Sequence, residues 1–232
     1  SKELYLKVLE MEENNAYALI GLGHLSYDFK EFKDALFYWT KIYELNEDNV
    51  DIRVLTSLGN CHRKLKTFEK GIYFFDKALA RDPKNFYALF GMADCYRGLN
   101  KQQVSIEYWN KILEIDPHNK VILTRAGDAY RTLKKYDLAV ESYNKALEID
   151  FDIYAAIGLA LICKEKGNFD EAILRFKNLI KDDPRNSRLY VDLAECYNLA
   201  GKKPEAISLL ENFIQKDGRN IQIKTYLDNL KK

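Results

Sequence analysis

The chain has 232 residues, of which 36 are Lys or Arg and 35 are Asp or Glu, so its formal charge is +1 at neutral pH. This balance argues against a protein that coats polyanions, which needs a large positive surplus, and the 47% hydrophobic content argues against a disordered tail. With only 11 Gly and 4 Pro to supply turns, the composition favours long helices over a β-sandwich or barrel.

A pattern that recurs about every 34 residues organises the chain. Asp82-Pro83 and Asp116-Pro117 lie 34 residues apart, and Asp183-Pro184 follows after 67 residues, one short of two further periods. Placing each Pro at position 32 of a unit predicts six units in chain order, at residues 16–51, 52–85, 86–119, 120–152, 153–186 and 187–220.

Two positions of the unit hold only small residues. Position 8 is occupied by Gly23, Gly59, Ala93, Gly127, Ala160 and Ala194, and position 20 by Ala35, Gly71, Ser105, Ala139, Ala172 and Ala206. Position 24 is large and apolar throughout, with Trp39, Phe75, Trp109, Tyr143, Phe176 and Leu210. We therefore expect two helices per unit that approach closely at the small residues, with an aromatic ring beside the contact.

These positions resemble the tetratricopeptide repeat, whose pattern sets Leu-Gly, Tyr, Ala, Phe and Pro at fixed offsets. The unit 86–119 carries Leu89, Met92-Ala93, Tyr96, Ser105, Trp109 and Pro117 in those places. The resemblance implies an all-α, right-handed superhelical solenoid of helix-turn-helix repeats, with the first helix of each repeat on a concave groove. It makes the whole chain, 1–232, a single domain, with 1–15 as the second helix of a partial repeat and 221–232 as a C-terminal capping helix.

The two ends of such an array lack a neighbour on one side. At the N-terminus we expect an exposed apolar strip, which could promote end-to-end self-association, formed by Leu4, Tyr5, Val8 and Leu9. In the capping helix we expect the apolar residues to pack mostly inward, namely Ile221, Ile223, Tyr226, Leu227 and Leu230.

The sequence offers no pattern of a catalytic or metal site. His24, His62 and His118 fall in different units at different positions, so no two share the spacing of metal ligands on one helix. His62 takes a position that is Tyr in other units and is predicted to pack inside. The carboxylates scatter over helix faces and loops. We expect neither an enzyme nor a bound cofactor or metal.

The four cysteines indicate a location only weakly. Cys61, Cys95 and Cys196 share position 10 and Cys163 takes position 11, where small buried residues are expected, so we predict packing thiols without disulfides. Sparse cysteines favour a reducing compartment, and a cytoplasmic location is expected. The most apolar run, at 154–163, is about half the length of a membrane-spanning helix, so no membrane insertion is expected.

The resemblance also points to a partner-binding face. In the family, ligands meet positions 2, 5, 6, 9, 12 and 13 of the first helix, which in units 52–85, 86–119 and 120–152 hold six basic and two acidic residues. The predicted groove residues are Arg53, Asn60, Arg63, Lys64, Tyr87, Phe90, Asp94, Arg97, Arg125, Asp128 and Arg131. Of the positions with which relatives clamp chaperone C-termini, only Asn60 and Arg125 fit.

The function that this pattern favours is a protein-interaction scaffold. Its groove would bind a peptide segment or partner protein of acidic or aromatic character, because arginines clamp carboxylates and aromatic residues anchor interfaces. One alternative is a substrate-recruiting arm of a larger enzyme. Another is an RNA-binding repeat array, which the local acidic residues Asp94 and Asp128 disfavour.

Overall fold

The computed structural model of the chain describes residues 2–45, 49–216 and 220–231. Four predicted segments, 1–15, 16–51, 187–220 and 221–232, include residues outside these ranges. Those residues are 1, 46–48, 217–219 and 232. The chain divides into two compact units, Ser1–Leu133 and Lys134–Lys232. The described residues contain fourteen α-helices and no β-strand, which confirms the predicted all-α class. That 1–232 is one domain stays a prediction.

The helix bounds follow a regular alternation of 13-residue and 14-residue helices between shorter end helices. The helices of the first unit are α1 (Lys2–Met11), α2 (Ala16–Asp28), α3 (Phe32–Leu45), α4 (Ile52–Lys64), α5 (Phe68–Arg81), α6 (Phe86–Gly98), α7 (Gln102–Ile115) and α8 (Lys120–Thr132). Those of the second unit are α9 (Tyr136–Ile149), α10 (Ile153–Glu165), α11 (Phe169–Asp182), α12 (Ser187–Leu199), α13 (Lys203–Lys216) and α14 (Ile221–Lys231). Within each unit, consecutive helices pack against one another.

The contact between glycines and an aromatic ring sets how closely the helices of the first unit approach. Phe75 of α5 is fully buried, and its ring lies against Gly59 of α4 and Gly91 of α6. A Cβ atom would lie 2.6 Å from the ring at Gly59 and 2.1 Å from it at Gly91. Trp39 of α3 lies against Gly23 of α2 in the same way. The predicted close approach at position 8 is therefore confirmed at Gly23 and Gly59, whereas the contact at Gly91, position 6, was not predicted.

An asparagine in the loops between helix pairs has two tasks. Asn85 Oδ1 accepts a hydrogen bond from the backbone N–H of Ala88 at 3.1 Å and so caps the start of α6. Its side-chain amide donates to Asp82 Oδ2 at 3.3 Å, which closes the loop. Asn119 repeats both contacts before α8, donating to Asp116 Oδ2 at 2.9 Å. The sequence Asp-Pro-x-Asn therefore ends one helix pair and starts the next.

The N-terminal helix is less exposed than the sequence predicted. Leu4 and Val8 are exposed as expected, but Tyr5 and Leu9 are half-buried. The ring of Tyr5 lies against Gly21 of α2, and Leu9 packs against the core of the first unit. The prediction was wrong for these two residues because α1 turns them toward α2.

The C-terminal helix packs mostly inward. Ile223, Leu227 and Leu230 are buried and Tyr226 is half-buried, against side chains of α12 and α13. Ile221 is the exception, because this first residue of α14 is exposed and lies on the opposite side of the helix from Ile223. Within the described ranges, no helix combines the length and apolar character that a membrane crossing requires.

Three of the four cysteines are sealed in the core. Cys61, Cys95 and Cys196 are buried, whereas Cys163 is half-buried, and all four are free thiols. Burial raises the pKa of Cys61 and of Cys95 to about 12, and that of Cys196 to about 11. Since the thiolate is the reactive form, these three side chains are both inaccessible and protonated at neutral pH.

We therefore expect one fast thiol in the native protein. With an excess of a chromogenic disulfide at neutral pH, Cys163 should react at least about tenfold faster than the other three, which must wait for the fold to open. The release of the chromophore with time measures both phases. Cys163→Ser should remove the fast phase alone, and two or more fast thiols in the parent protein would contradict the burial of the other sites.

Candidate functional site

A buried carboxylate gathers three arginines on the first unit. Asp94 of α6 has a side chain that is 9% exposed, and its Oδ2 atom lies 2.6 Å from Nη1 of Arg63 on α4. Its Oδ1 atom lies 2.8 Å from Nη2 of Arg97 on α6 and 3.4 Å from Nη1 of Arg125 on α8. We call these four residues the arginine cluster. It carries three positive charges and one negative charge.

The repeat length explains why these side chains meet. Arg63 and Arg125 each lie 31 residues from Asp94 along the chain, one on either side. In a 34-residue repeat, this separation places the two residues on neighbouring first helices, three positions out of register, which is about one helical turn. Arg97 lies three residues after Asp94 on the same helix face. A carboxylate at position 9 is therefore within reach of a cation on each neighbouring first helix.

The arginines decide the ionisation of Asp94. Burial alone would raise the pKa of this carboxyl, but the hydrogen bond from Arg97 and the charges of Arg97, Arg125 and Arg63 lower it below its ordinary value. Asp94 is therefore ionised at neutral pH, and it stays ionised to lower pH than a free aspartate.

Neighbouring side chains hold the guanidinium groups in place. Asn60 Oδ1 accepts hydrogen bonds from Arg63 Nε at 3.2 Å and Nη2 at 3.1 Å. The guanidinium of Arg125 lies over the ring of Phe90, 5.1 Å from its centre, and that of Arg63 lies 5.8 Å from the same ring. Phe90 is itself fixed by an edge contact with Trp109, with ring centres 5.2 Å apart. This role of Trp109 was not predicted from the sequence, which indicated only a packing residue at position 24.

The structure joins six of the eleven predicted groove residues through these contacts: Asn60, Arg63, Phe90, Asp94, Arg97 and Arg125. It keeps Arg53 apart, because that side chain pairs with Asp51 at the start of α4, at 2.6 Å. Lys64, Tyr87 and Asp128 are exposed and Arg131 is half-buried. That any of the eleven contacts a partner stays a prediction.

The local charge surplus is narrower than the sequence suggested. Counting side chains gave four excess positive charges spread over three first helices, but Asp94 is buried among three of the six cations. Arg63 is 16% exposed, whereas Arg125 and Arg97 are 34% and 46% exposed. Within the arginine cluster, the positive charge that meets solvent therefore belongs mainly to Arg97 and Arg125, while Arg53 and Lys64 are exposed outside the cluster.

A second ionic group, in the second unit, was missed by sequence reasoning. Lys164 of α10 is 13% exposed and lies 2.9 Å from Glu195 Oε2 and 3.4 Å from Asp192 Oδ1, both on α12. Burial alone would lower the pKa of Lys164, but these two carboxylates raise it above its ordinary value. Lys164 and Glu195 lie 31 residues apart, like Arg63 and Asp94, and that spacing was the available signal.

The histidines do not gather into a site. His62 is buried as predicted, with its ring stacked on Phe74 and its Nδ1 atom 2.9 Å from the Thr67 hydroxyl, and burial lowers its pKa. His24 is exposed and meets the ring of Trp39 edge-on. In the part of the chain that the structure describes, no three His, Cys, Asp or Glu side chains lie together as metal ligands would.

Models of a known protein family match the stretches of the chain that form most of these helix pairs. Models described as tetratricopeptide repeat match residues 52–85 and 122–153, residues 87–119, and residues 165–227, together more than half of the chain. The chain is a tetratricopeptide-repeat protein. No curated protein matches this tetratricopeptide-repeat chain in sequence.

Solved structures of other tetratricopeptide-repeat proteins have the same fold. A tetratricopeptide repeat protein from Parabacteroides merdae is 25% identical, with a TM-score of 0.77 over 86% of this chain and 79% of that one. MamA from Desulfovibrio magneticus is 17% identical, with a TM-score of 0.67 over 74% and 97%. YrrB, described as having an unusual peptide-binding site, is 20% identical, with a TM-score of 0.59 over 81% and 96%. These likenesses support the solenoid class of fold.

Proposed function

We propose that this protein is an interaction scaffold whose first unit binds a segment of a partner protein. The face that binds it is formed by the first helices α4, α6 and α8. The observation that carries the proposal is the arginine cluster, in which one buried carboxylate orients three guanidinium groups while Arg97 and Arg125 stay accessible. Oriented arginines bind carboxylates with two parallel hydrogen bonds.

Aromatic side chains on the same face support an amphipathic partner. Tyr87 lies one turn of α6 before Phe90, and its side chain is 67% exposed. Val121, at the equivalent position of α8, is also exposed. Tyr and Arg are two of the residue types that are enriched among the side chains carrying most of the binding energy at protein interfaces. The bound segment therefore combines acidic residues with aromatic or other apolar residues.

A screen of displayed random peptides tests this function. The peptides that the protein selects should be enriched in Asp and Glu together with Tyr, Phe or Trp. Arg97→Glu should weaken binding of the selected peptides by about tenfold or more, because it removes a charged hydrogen bond and adds a repulsive carboxylate. Fluorescence anisotropy of labelled peptides measures the dissociation constants.

Arg175→Glu is the matched control, because Arg175 on α11 is about as exposed as Arg97, also pairs with a carboxylate on its own helix, and lies outside the predicted groove. It should leave the dissociation constants within about threefold, and thermal unfolding should show that both variants are folded. Selection of basic peptides, or equal binding by the Arg97 and Arg175 variants, would show that the cluster is not the binding site.

A further inference from the structure

The charge balance of the arginine cluster sets which anion fits it. Three guanidinium groups share the single carboxylate of Asp94, so two positive charges remain uncompensated at one point. Asp128 and Arg131 follow Arg125 on α8 with opposite charges, so they do not change this balance. A ligand group with one negative charge would leave the cluster positive, whereas a group with two would neutralise it.

The donors that face a ligand belong to two of the three arginines. Arg63 is nearly covered and is committed to Asp94 and Asn60. Arg125 has five N–H donors but makes one long contact with Asp94, at 3.4 Å, and its Nε–H is buried without an acceptor. Arg97 contacts Asp94 through Nε and Nη2 and remains 46% exposed. Acceptor oxygens placed between Arg97 and Arg125 would accept hydrogen bonds from the N–H groups of both side chains.

Little ordering is needed before an anion binds there. Phe90 and Trp109 support the guanidinium of Arg125, and Asp94 contacts all three arginines and holds them close together. Arginines that are already oriented lose less conformational entropy on binding than free ones. Asp94 is therefore a positioning residue. It orders the arginines, and its negative charge lowers the net positive charge of the cluster by one.

We propose that the cluster binds a phosphoryl group, carried by a phosphorylated side chain of the partner segment. A phosphoryl group has a charge between about −1.5 and −2 at neutral pH and three acceptor oxygens, which suits two accessible arginines and two uncompensated charges. A carboxylate supplies one charge and two oxygens. The inference rests on the proposed function, because it names the group that the same face of the first unit binds.

Small probes test the group without the rest of the partner. We would titrate the protein with N-acetyl-phosphotyrosine amide, N-acetyl-glutamate amide and inorganic phosphate, following the side-chain N–H resonances of Arg97, Arg125 and Arg175 by NMR. The phosphotyrosine probe should bind at least about tenfold more tightly than the glutamate probe, and should shift Arg97 and Arg125 but not Arg175.

Two variants separate anion binding from damage to the fold. Arg97→Gln should weaken the phosphotyrosine probe by about tenfold, with Arg175→Gln unchanged as the matched control. Asp94→Asn keeps a side-chain oxygen that can accept from the arginines but removes the negative charge next to the ligand, so it should tighten binding severalfold. A merely disrupted site would bind less tightly in both variants, and that result would overturn the proposal.

The outcomes distinguish this inference from the scaffold function. If the glutamate probe binds as tightly as the phosphotyrosine probe, the phosphoryl proposal is wrong, while peptide binding through Arg97 can stand. If inorganic phosphate binds as tightly as the phosphotyrosine probe, the site takes a free ion and the phosphorylated partner is excluded. If peptide selection fails while the phosphotyrosine probe binds selectively, the scaffold proposal fails and the anion site remains.

Discussion

Phe75→Ala is expected to lower the free energy of unfolding of the first unit by about 3 to 5 kcal/mol, because it removes a fully buried ring from the contact between α4, α5 and α6. The chain has two tryptophans, Trp39 and Trp109, and both are buried in the first unit. Urea unfolding followed by tryptophan fluorescence therefore measures this unit directly. A loss below about 1 kcal/mol would mean that the ring does not hold the helices together.

The opposite change at the same contact is a methyl group on Gly91. Its Cβ atom would lie 2.1 Å from Phe75 Cζ, so Gly91→Ala should destabilise the unit by about 1 to 3 kcal/mol through overpacking. The intrinsic helix propensity of Ala works the other way, by about 1 kcal/mol. The expected loss of unfolding free energy therefore comes from the clash with the Phe75 ring and not from helix propensity.

The double variant is the control for this interpretation. Once Phe75 is replaced by Ala, the added methyl group at residue 91 has room, and Gly91→Ala should be neutral or should stabilise the unit by up to about 1 kcal/mol. The same urea unfolding experiment on the four proteins gives the coupling between the sites. Additive losses would show that the methyl group at residue 91 meets an obstacle other than the Phe75 ring.

Asp94→Asn is expected to destabilise the first unit at neutral pH by about 2 to 3 kcal/mol, because three arginines lose the carboxylate that compensates them. We expect less than the ~3 to 5 kcal/mol of fully buried pairs, since Arg97 and Arg125 are partly exposed to water. Tryptophan fluorescence in urea again measures the loss. Asp76→Asn, which changes an exposed carboxyl on α5, should stay within about 0.5 kcal/mol.

The pH dependence of this difference identifies its cause. The pKa of Asp94 is lowered in the folded protein, so the carboxylate stabilises the fold fully above the ordinary aspartate pKa of about 3.9. That stabilisation is lost as the pH falls below this value and through the folded-state pKa. The difference between the parent protein and Asp94→Asn should therefore shrink below about pH 4. A difference that is constant with pH would assign the effect to packing.

Small and aromatic residues at a fixed period were enough to predict the fold class. Gly59 and Phe75 could be recognised as a contact from sequence because their positions keep one size class in every unit, whereas Gly91 lies at a position that varies in size and was not predicted to pack. Tyr5 and Leu9 were predicted wrongly, since apolar side chains at a helix that lacks a neighbour on one side still pack against the other.

The candidate site was predictable in its members but not in its arrangement. Position in the repeat placed Arg63, Asp94 and Arg125 on one face, but it treated their charges as independent. Whether they meet depends on the direction of the side chains on three helices. The only sign of these ion pairs in the sequence was a spacing of 31 residues between opposite charges. The same spacing joins Lys164 and Glu195, so it can be searched for in any chain of this repeat length.

The buried thiols give the chain its own reporters of breathing motions. Cys61 and Cys95 lie in the first unit and Cys196 in the second, and each is buried at position 10 of its repeat. When a helix opens and closes faster than a thiol is modified, the labelling rate at that thiol measures the free energy of its local opening. Identifying the modified cysteines by mass spectrometry would therefore rank the two units by stability without any substitution, and at concentrations where the protein stays native.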